Sequence, residues 1–283
     1  MKLEKTTTSF NKILYQSNNV HFKKNPIFFL EHSSKNTILH WHNAIELIYI
    51  IKGTIEFNFN SETFSASDGE LVFVNSNVIH SFKHTSPTID YYFLIVENEF
   101  LKNNNLYLET SFFEKKVDDA ESIYYFEQII KESKNNDTFT DLSIVSRIIS
   151  LFIHLNRKYL SKPNQSKVIN KQLDIVRNTL TYIDENYKTK LKIQDVANQL
   201  YFSKSYLCHV FKKVTGLSII NYINLVKCQA AKILILNGED IFEAAKACGF
   251  TDFSYFTRVF KKTLGVLPSN LRTDSFSLNK KNF

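Results

Sequence analysis

The chain has 283 residues, 43% of them hydrophobic and 22% charged, with a formal net charge of +7. That balance excludes a disordered or fibrous chain, and six glycines with four prolines exclude a collagen-like or low-complexity one. At roughly 100–200 residues per domain, two domains are expected.

The charge is divided along the chain. Residues 171–283 carry 17 Lys and Arg against nine Asp and Glu, whereas residues 1–170 carry 18 against 19. A neutral half joined to a basic half predicts a polyanion as partner of the second. Cys208, Cys228 and Cys248 form no CxxC pair, so free thiols in a reducing cytosol are expected rather than a disulfide framework or zinc ribbon. The first residues show no targeting segment, and the apolar runs at 47–51 and 91–96 are strand-length, too short to span a bilayer. A cytoplasmic protein with no membrane partner is the expectation.

From about 27 to 96 the chain reads as short β segments. An apolar run at 46–51, alternation at 54–60 and a second run at 71–74 are separated by turn signals at Lys52-Gly53, Asn60-Ser61, Ser67-Asp68-Gly69 and Ser86-Pro87. Many short strands at near-regular spacing predict a sandwich or barrel. Within this stretch His40, Trp41, His42 and Glu46, with Gly53 after a further six residues, resemble the first cupin motif at its full spacing. Residues 69–80, ending in His80, resemble the second, with Asn75 and Asn77 where Pro and Gly are usual and His84 where Asn is frequent.

His40 and His42 are expected to alternate along a strand and so to face one side. With Glu46 and His80 they would make an N3O set suited to Fe, Mn, Ni or Zn. The alternative is a metal-free ligand pocket or a hydrogen-bonded scaffold. Trp41 and Tyr49 join the four as pocket candidates, since an aromatic ring can stack on a sugar face.

After about 117 the period becomes helical. Ile123, Phe126, Ile129 and Ile130 share one face, as do Leu142, Val145, Ile148, Ile149 and Phe152. These helices could pack on the barrel or on a second subunit. A polar stretch with Pro163 at 161–167 reads as a linker, and everything beyond 168 is helical in pattern.

The second half contains a repeat. Residues 204–216 and 253–265 agree at seven of thirteen positions, including Ser205/Ser254, Tyr206/Tyr255, Phe211/Phe260 and Gly216/Gly265. Each copy follows a shorter helical segment, so each unit reads as a helix-turn-helix. Ala197 and Ala245 let the second helix cross closely. Ser203 and Asp252 suit its N-cap, and Gly216 and Gly265 its left-handed end. Leu207, Val210, Phe211 and Val214 make one apolar stripe; Phe256, Val259, Phe260 and Leu264 make the other.

The opposite faces are Ser205, Cys208, His209 and Lys212, and Ser254, Thr257, Arg258 and Lys261. Such small, polar and basic faces fit a major groove, with Lys213 and Lys262 beside them for phosphates. A plain helical bundle with solvated faces is the alternative for either unit alone. Residues 218–237 read as one connecting helix that would hold the two readers about 34 Å apart, one turn of B-DNA.

Residues 171–275 resemble the DNA-binding domain of the AraC/XylS family of transcription regulators, through 193–197, 203–216, 249–262 and 265–272. The resemblance implies that Lys204, Ser205, Cys208 and His209 read one major-groove segment and Phe253, Ser254, Thr257 and Arg258 the next. Cys208 and His209 are weak readers, which places most specificity on Arg258. Pro268 matches the family's proline at the start of a closing helix, and Leu271 stands where the family often has Tyr.

The implied architecture is a two-domain α and β chain, with an N-terminal cupin-like β-barrel plus coupling helices and a C-terminal all-α double helix-turn-helix domain. Its parts would be a sensing domain with an N-terminal arm at 1–115, a coupling and dimerisation segment at 116–160, a linker at 161–170, the DNA-binding domain at 171–275 and a tail at 276–283. The resemblance implies an activator that answers to a small molecule such as a sugar, binds double-stranded promoter DNA as a homodimer and works with RNA polymerase. It also implies a β domain that is generally metal-free, hence no cofactor. A metal-dependent cupin enzyme fused to DNA-binding helices and a regulator governed by a protein partner are the rival readings.

Overall fold

In a computed structural model the described residues are 27–32, 37–60, 62–106, 113–159 and 171–271. The linker at 161–170, the N-terminal arm before 27 and the tail at 276–283 lie outside them. The described residues fall into two compact units, one ending at Tyr159 and one beginning at Lys171.

The first unit contains strands β1 (Ile27–His32), β2 (Ala44–Lys52), β3 (Ile55–Phe59), β4 (Glu62–Ala66), β5 (Leu71–Val74), β6 (His80–His84), β7 (Asp90–Glu97) and β8 (Lys116–Val117). It also contains helices α1 (Asn98–Asn103), α2 (Ala120–Ser133) and α3 (Thr140–Tyr159). A five-stranded antiparallel sheet runs β1-β7-β2-β5-β8 and a three-stranded one β4-β3-β6. The expected barrel is thus two sheets. Between them lie Ile48, Ile50, Val72, Tyr91 and Phe93 from one, against Ile55, Phe57, Phe59 and Phe82 from the other.

The outer face of the larger sheet is also covered. Ile45, Leu47, Tyr49, Leu71, Phe73, Tyr92 and Leu94 form a second core with Phe126, Ile129 and Ile130 of α2 and Ile144, Ile148, Leu151 and Phe152 of α3. Both faces of β2, β5 and β7 are therefore buried, and their sequences read as unbroken apolar runs. β3 buries one face, and alternates. The helices of 116–160 pack on the sheet, sharing its core.

The start of α2 is fixed by Asp119. Its carboxylate accepts hydrogen bonds from the main-chain N–H of Glu121 and Ser122, from Ser122 Oγ at 2.7 Å and from Tyr159 Oη at 2.6 Å, with His154 Nε2 at 3.0 Å. Burial works against the charged form, but these donors outweigh it and hold the carboxyl below its ordinary range. Asp119→Asn keeps a capping oxygen but removes the charge that Ser122, Tyr159 and His154 face, and is expected to destabilise this unit by about 1–3 kcal/mol. A depressed folded-state carboxyl contributes fully above the unfolded value of about 4 and loses that contribution as pH falls through its folded value. The gap between wild type and variant in a thermal melt should therefore narrow from about pH 4 downward; a gap independent of pH would show that the charge is not its source.

The second unit contains α4 (Lys171–Asn186), α5 (Ile193–Gln199), α6 (Lys204–Thr215), α7 (Ile219–Leu236), α8 (Ile241–Ala247) and α9 (Phe253–Leu264). α4 packs on α6, and α7 packs on α8 and α9. α7 is the connecting helix read from the sequence, with Ser218 as N-cap; at 18 residues it is about 27 Å long. By length and mean hydropathy it could cross a membrane, but half of it is buried in this unit. Asn270 and Leu271, just past Pro268, are helical, and Leu271 is buried.

Candidate functional site

The α6 and α9 readers are built by their caps. Ser203 Oγ accepts from the Tyr206 N–H and Asp252 Oδ1 from the Tyr255 N–H, so each helix starts where the sequence places it. Each ends on a left-handed glycine, Gly216 (φ 72°) and Gly265 (φ 77°). The stripes Leu207, Val210, Phe211 and Val214, and Phe256, Val259 and Phe260, are buried, which turns the other faces outward. Ala197 and Ala245 are buried where the paired helices cross.

On those outward faces Lys204, Ser205, His209, Lys212 and Lys213 of α6 are exposed, as are Phe253, Ser254, Arg258, Lys261 and Lys262 of α9. Cys208 and Thr257 are half-buried. Neither first turn carries an acidic residue, and both last turns carry two lysines. Three of the twelve also have engagements within the unit. Thr257 donates its hydroxyl to the Phe253 carbonyl at 3.0 Å, and the Phe253 ring lies 5.7 Å from Phe242 and 5.8 Å from Phe256. Phe253 is therefore partly a packing residue. The Arg258 guanidinium sits 5.7 Å from the Tyr255 ring, whose hydroxyl accepts from Asn224 of α7. Stacking of this kind restricts the side chain before any partner arrives.

The sequence reading missed Lys227. It lies on the buried side of α7 and donates to the carbonyls of Thr189 at 2.9 Å and Gly249 at 2.7 Å. One ammonium thus ties the entrance of the first unit to the turn of the second. Burial lowers its pKa. A lysine inside an apolar stretch carries no local signal of this kind. Cys228 and Cys248 are core residues, as expected, and burial pushes their thiols up to about 12 and about 11. Thiols so raised stay protonated and unreactive at neutral pH.

In the β unit, His40, His42, Glu46 and His80 come together, each buried. They do so differently from expectation. β2 begins only at Ala44, so His40 and His42 precede it and do not alternate along a strand; His40 makes an isolated antiparallel bridge with His80, N–H to carbonyl in both directions at 2.9 and 2.8 Å. Glu46 points between the sheets, on the side of Ile48 and Ile50. Asn77 adopts φ 64° where a glycine was usual, a conformation asparagine tolerates, and its N–H donates to the His42 carbonyl. Asn75 exchanges two hydrogen bonds with the main chain of Phe113.

Every imidazole is anchored from outside: His40 Nδ1 to the Ile38 carbonyl at 2.8 Å, His42 Nδ1 to Ala44 at 3.2 Å and His80 Nδ1 to Val78 at 2.9 Å. The opposite nitrogens of His42 and His80 each lie 3.1 Å from Glu46 Oε2. Burial, with His80 and His42 alongside, pushes His40 well below its ordinary value and keeps it neutral. The other two pocket candidates are Tyr49 and Trp41. Tyr49 lies on the opposite face of β2 and donates to Glu127 of α2 at 3.0 Å, and Trp41 is half-buried between the two histidines in sequence.

The family model described as an AraC-like ligand binding domain matches residues 28–152, and the one described as a helix-turn-helix domain matches residues 196–274. The HTH-type transcriptional regulator YijO of Escherichia coli is 41% identical over 93 residues, 32% of each chain. The arabinose operon regulatory protein of Salmonella typhimurium is 25% identical over 78% of this chain and 81% of its own. The crystal structure of an apo ToxT variant from Vibrio cholerae has the same fold, with a TM-score of 0.55 at 16% identity over 87% of this chain and 97% of that one. A β-rich ligand-binding unit followed by two capped helix-turn-helix units, matched by both family models, makes this chain a member of the AraC family of transcription regulators.

Proposed function

We propose that this regulator is an activator that binds double-stranded promoter DNA sequence-specifically through α6 and α9, in response to a small molecule such as a sugar. The observation that carries the DNA reading is the pair of outward faces in one helical unit, each opening on small polar side chains and closing on two lysines. Lys204, Ser205, Cys208 and His209 on α6, and Ser254, Thr257 and Arg258 on α9, would meet base edges, with Phe253 partly taken up in packing. Lys212 and Lys261 lie on the same faces, and Lys213 and Lys262 beside them would meet phosphates. The protein acts by binding rather than by turnover, in the cytoplasm, as a homodimer, and recruits RNA polymerase.

The carbohydrate class is supported by the relative named for an arabinose operon. An effector shifts DNA binding only by the difference in its affinity for the two arrangements of the protein. Selection of duplexes from a random pool by the purified full chain tests the core reading. A recovered consensus with two half-sites about one helical turn apart is expected, with affinity falling linearly in log salt as lysines release counterions. Adding arabinose and related sugars should then change that affinity by about 5- to 150-fold for the true effector. Recovery of no consensus would sink the DNA reading; a consensus insensitive to every sugar would sink only the carbohydrate class.

A further inference from the structure

We propose that Phe253, backed by Phe242, reads the C5 methyl group of a thymine in the half-site served by α9. The inference rests on the DNA reading above and assigns one base contact within it. Its basis is an aromatic pair that the fold does not require. Phe242, in the first turn of α8, is 53% exposed, and Phe253, the first residue of α9, is 43% exposed; their ring centres lie 5.7 Å apart. The repeat supplies an internal comparison. At the matching positions of the first unit stand Gln194 and Lys204, both exposed. The same pair of helices forms there with an amide and an ammonium, so packing alone does not call for rings. Single exposed apolar side chains are ordinary, but two in contact on a polar, basic face point to a partner that covers them.

The place is that of a base reader. In a helix-turn-helix the first residues of the second helix reach base edges, while the first helix crosses the backbone. The Phe253 ring is held on its inner side by the buried Phe256, 5.8 Å away, and on its flank by Phe242, so its remaining surface is presented outward in a restricted orientation. Ser254 beside it is small, and Arg258, Lys261 and Lys262 further along α9 are exposed and cationic, which brings a polyanion to this end of the helix. A phenyl ring has no donor or acceptor. In the major groove it can favour only the thymine methyl, the one apolar group that base pairs present there. Against the amino group of cytosine or the acceptors of guanine the same ring displaces water and returns no hydrogen bond. Phe253 would therefore be the contacting residue and Phe242 a positioning residue that keeps its ring in place.

The test replaces each thymine of a selected duplex, one at a time, by uracil, which keeps every pairing group and lacks only the methyl. Full-length wild-type protein should lose about fourfold in affinity at one thymine, the equivalent of one methyl returned to water. That thymine should lie in the half-site whose preference Arg258→Ala relaxes. Phe253→Ala should bind the thymine and uracil duplexes alike, Phe253→Leu should restore part of the difference, and Phe242→Ala should reduce it. Lys204→Ala, in the other unit, should weaken binding and yet keep the full difference. A consensus whose thymines all tolerate uracil would overturn the proposal and leave the DNA reading standing, as would a difference that survives Phe253→Ala. Unchanged affinities in both Phe242→Ala and Phe253→Ala would assign the pair to a protein partner and overturn it too. Recovery of no consensus would overturn it together with the DNA reading. If Phe253→Ala fails to fold, the wild-type and Phe253→Leu titrations decide.

Discussion

Arg258→Ala is expected to weaken binding to a selected duplex by about 1–3 kcal/mol and to relax the preference at one base pair. The side chain is exposed on α9, carries five donors in a planar fork and has its guanidinium over the Tyr255 ring. Its counterpart on α6 is His209, which offers at most one or two donors, and beside it Cys208 is half-buried. Specificity should therefore be unequal between the half-sites. Lys213→Ala makes the contrast: about equal loss on every sequence, with the salt slope reduced by about one. Anisotropy titrations of both variants against all single substitutions of the duplex separate the two roles. If Arg258→Ala weakens all sequences alike, Arg258 lies on a phosphate and the reader assignment is wrong.

Gly249→Ala should destabilise the helical unit by about 2–5 kcal/mol. The residue turns the chain between α8 and α9 with φ 75°, where a side chain adds about 1–2 kcal/mol of backbone strain. A Cβ there would also stand 2.7 Å from the carbonyl carbon and oxygen of Lys188 and from the Thr189 oxygen. Those are backbone atoms and cannot rotate away, so overpacking adds about 1–3 kcal/mol more. The Thr189 carbonyl also accepts from Lys227, as does the carbonyl of Gly249 itself, so the substitution would loosen that clasp too. The matching turn of the first unit makes a control, because Tyr201 holds φ 60° without the close approach and is largely exposed. Tyr201→Gly should gain about 0.5–1 kcal/mol once the entropy of glycine is set against the relieved strain. Urea unfolding followed at far-ultraviolet wavelengths, which report mainly helix, measures both. A Gly249→Ala midpoint equal to wild type would refute the close approach.

Features encoded within a few neighbouring residues were legible from the chain alone. The strands β2, β3, β5 and β7, the faces of α2 and α3, the caps Ser203 and Asp252, and the glycine ends of α6 and α9 all follow from side-chain period and local hydrogen bonding. The repeat made both reader faces visible, because identical stripes must bury identical sides. The motif spacing also picked out His40, His42, Glu46 and His80.

Tertiary structure alone decided what those residues do to one another. Tyr49 and Glu46 are three apart on one strand, so they face opposite sides, and only the packing of α2 and α3 shows that both sides are buried. The facing of His80 and Glu46 spans 34 residues and depends on how β6 is set against β2, which no local preference specifies. Lys227 reads as one charge in an apolar helix until the loops at Thr189 and Gly249 close over it. Local sequence determines which way a side chain leaves its own helix or strand; the partner it meets there is set by the long-range pairing of elements, through contacts that exist only once the whole core has formed.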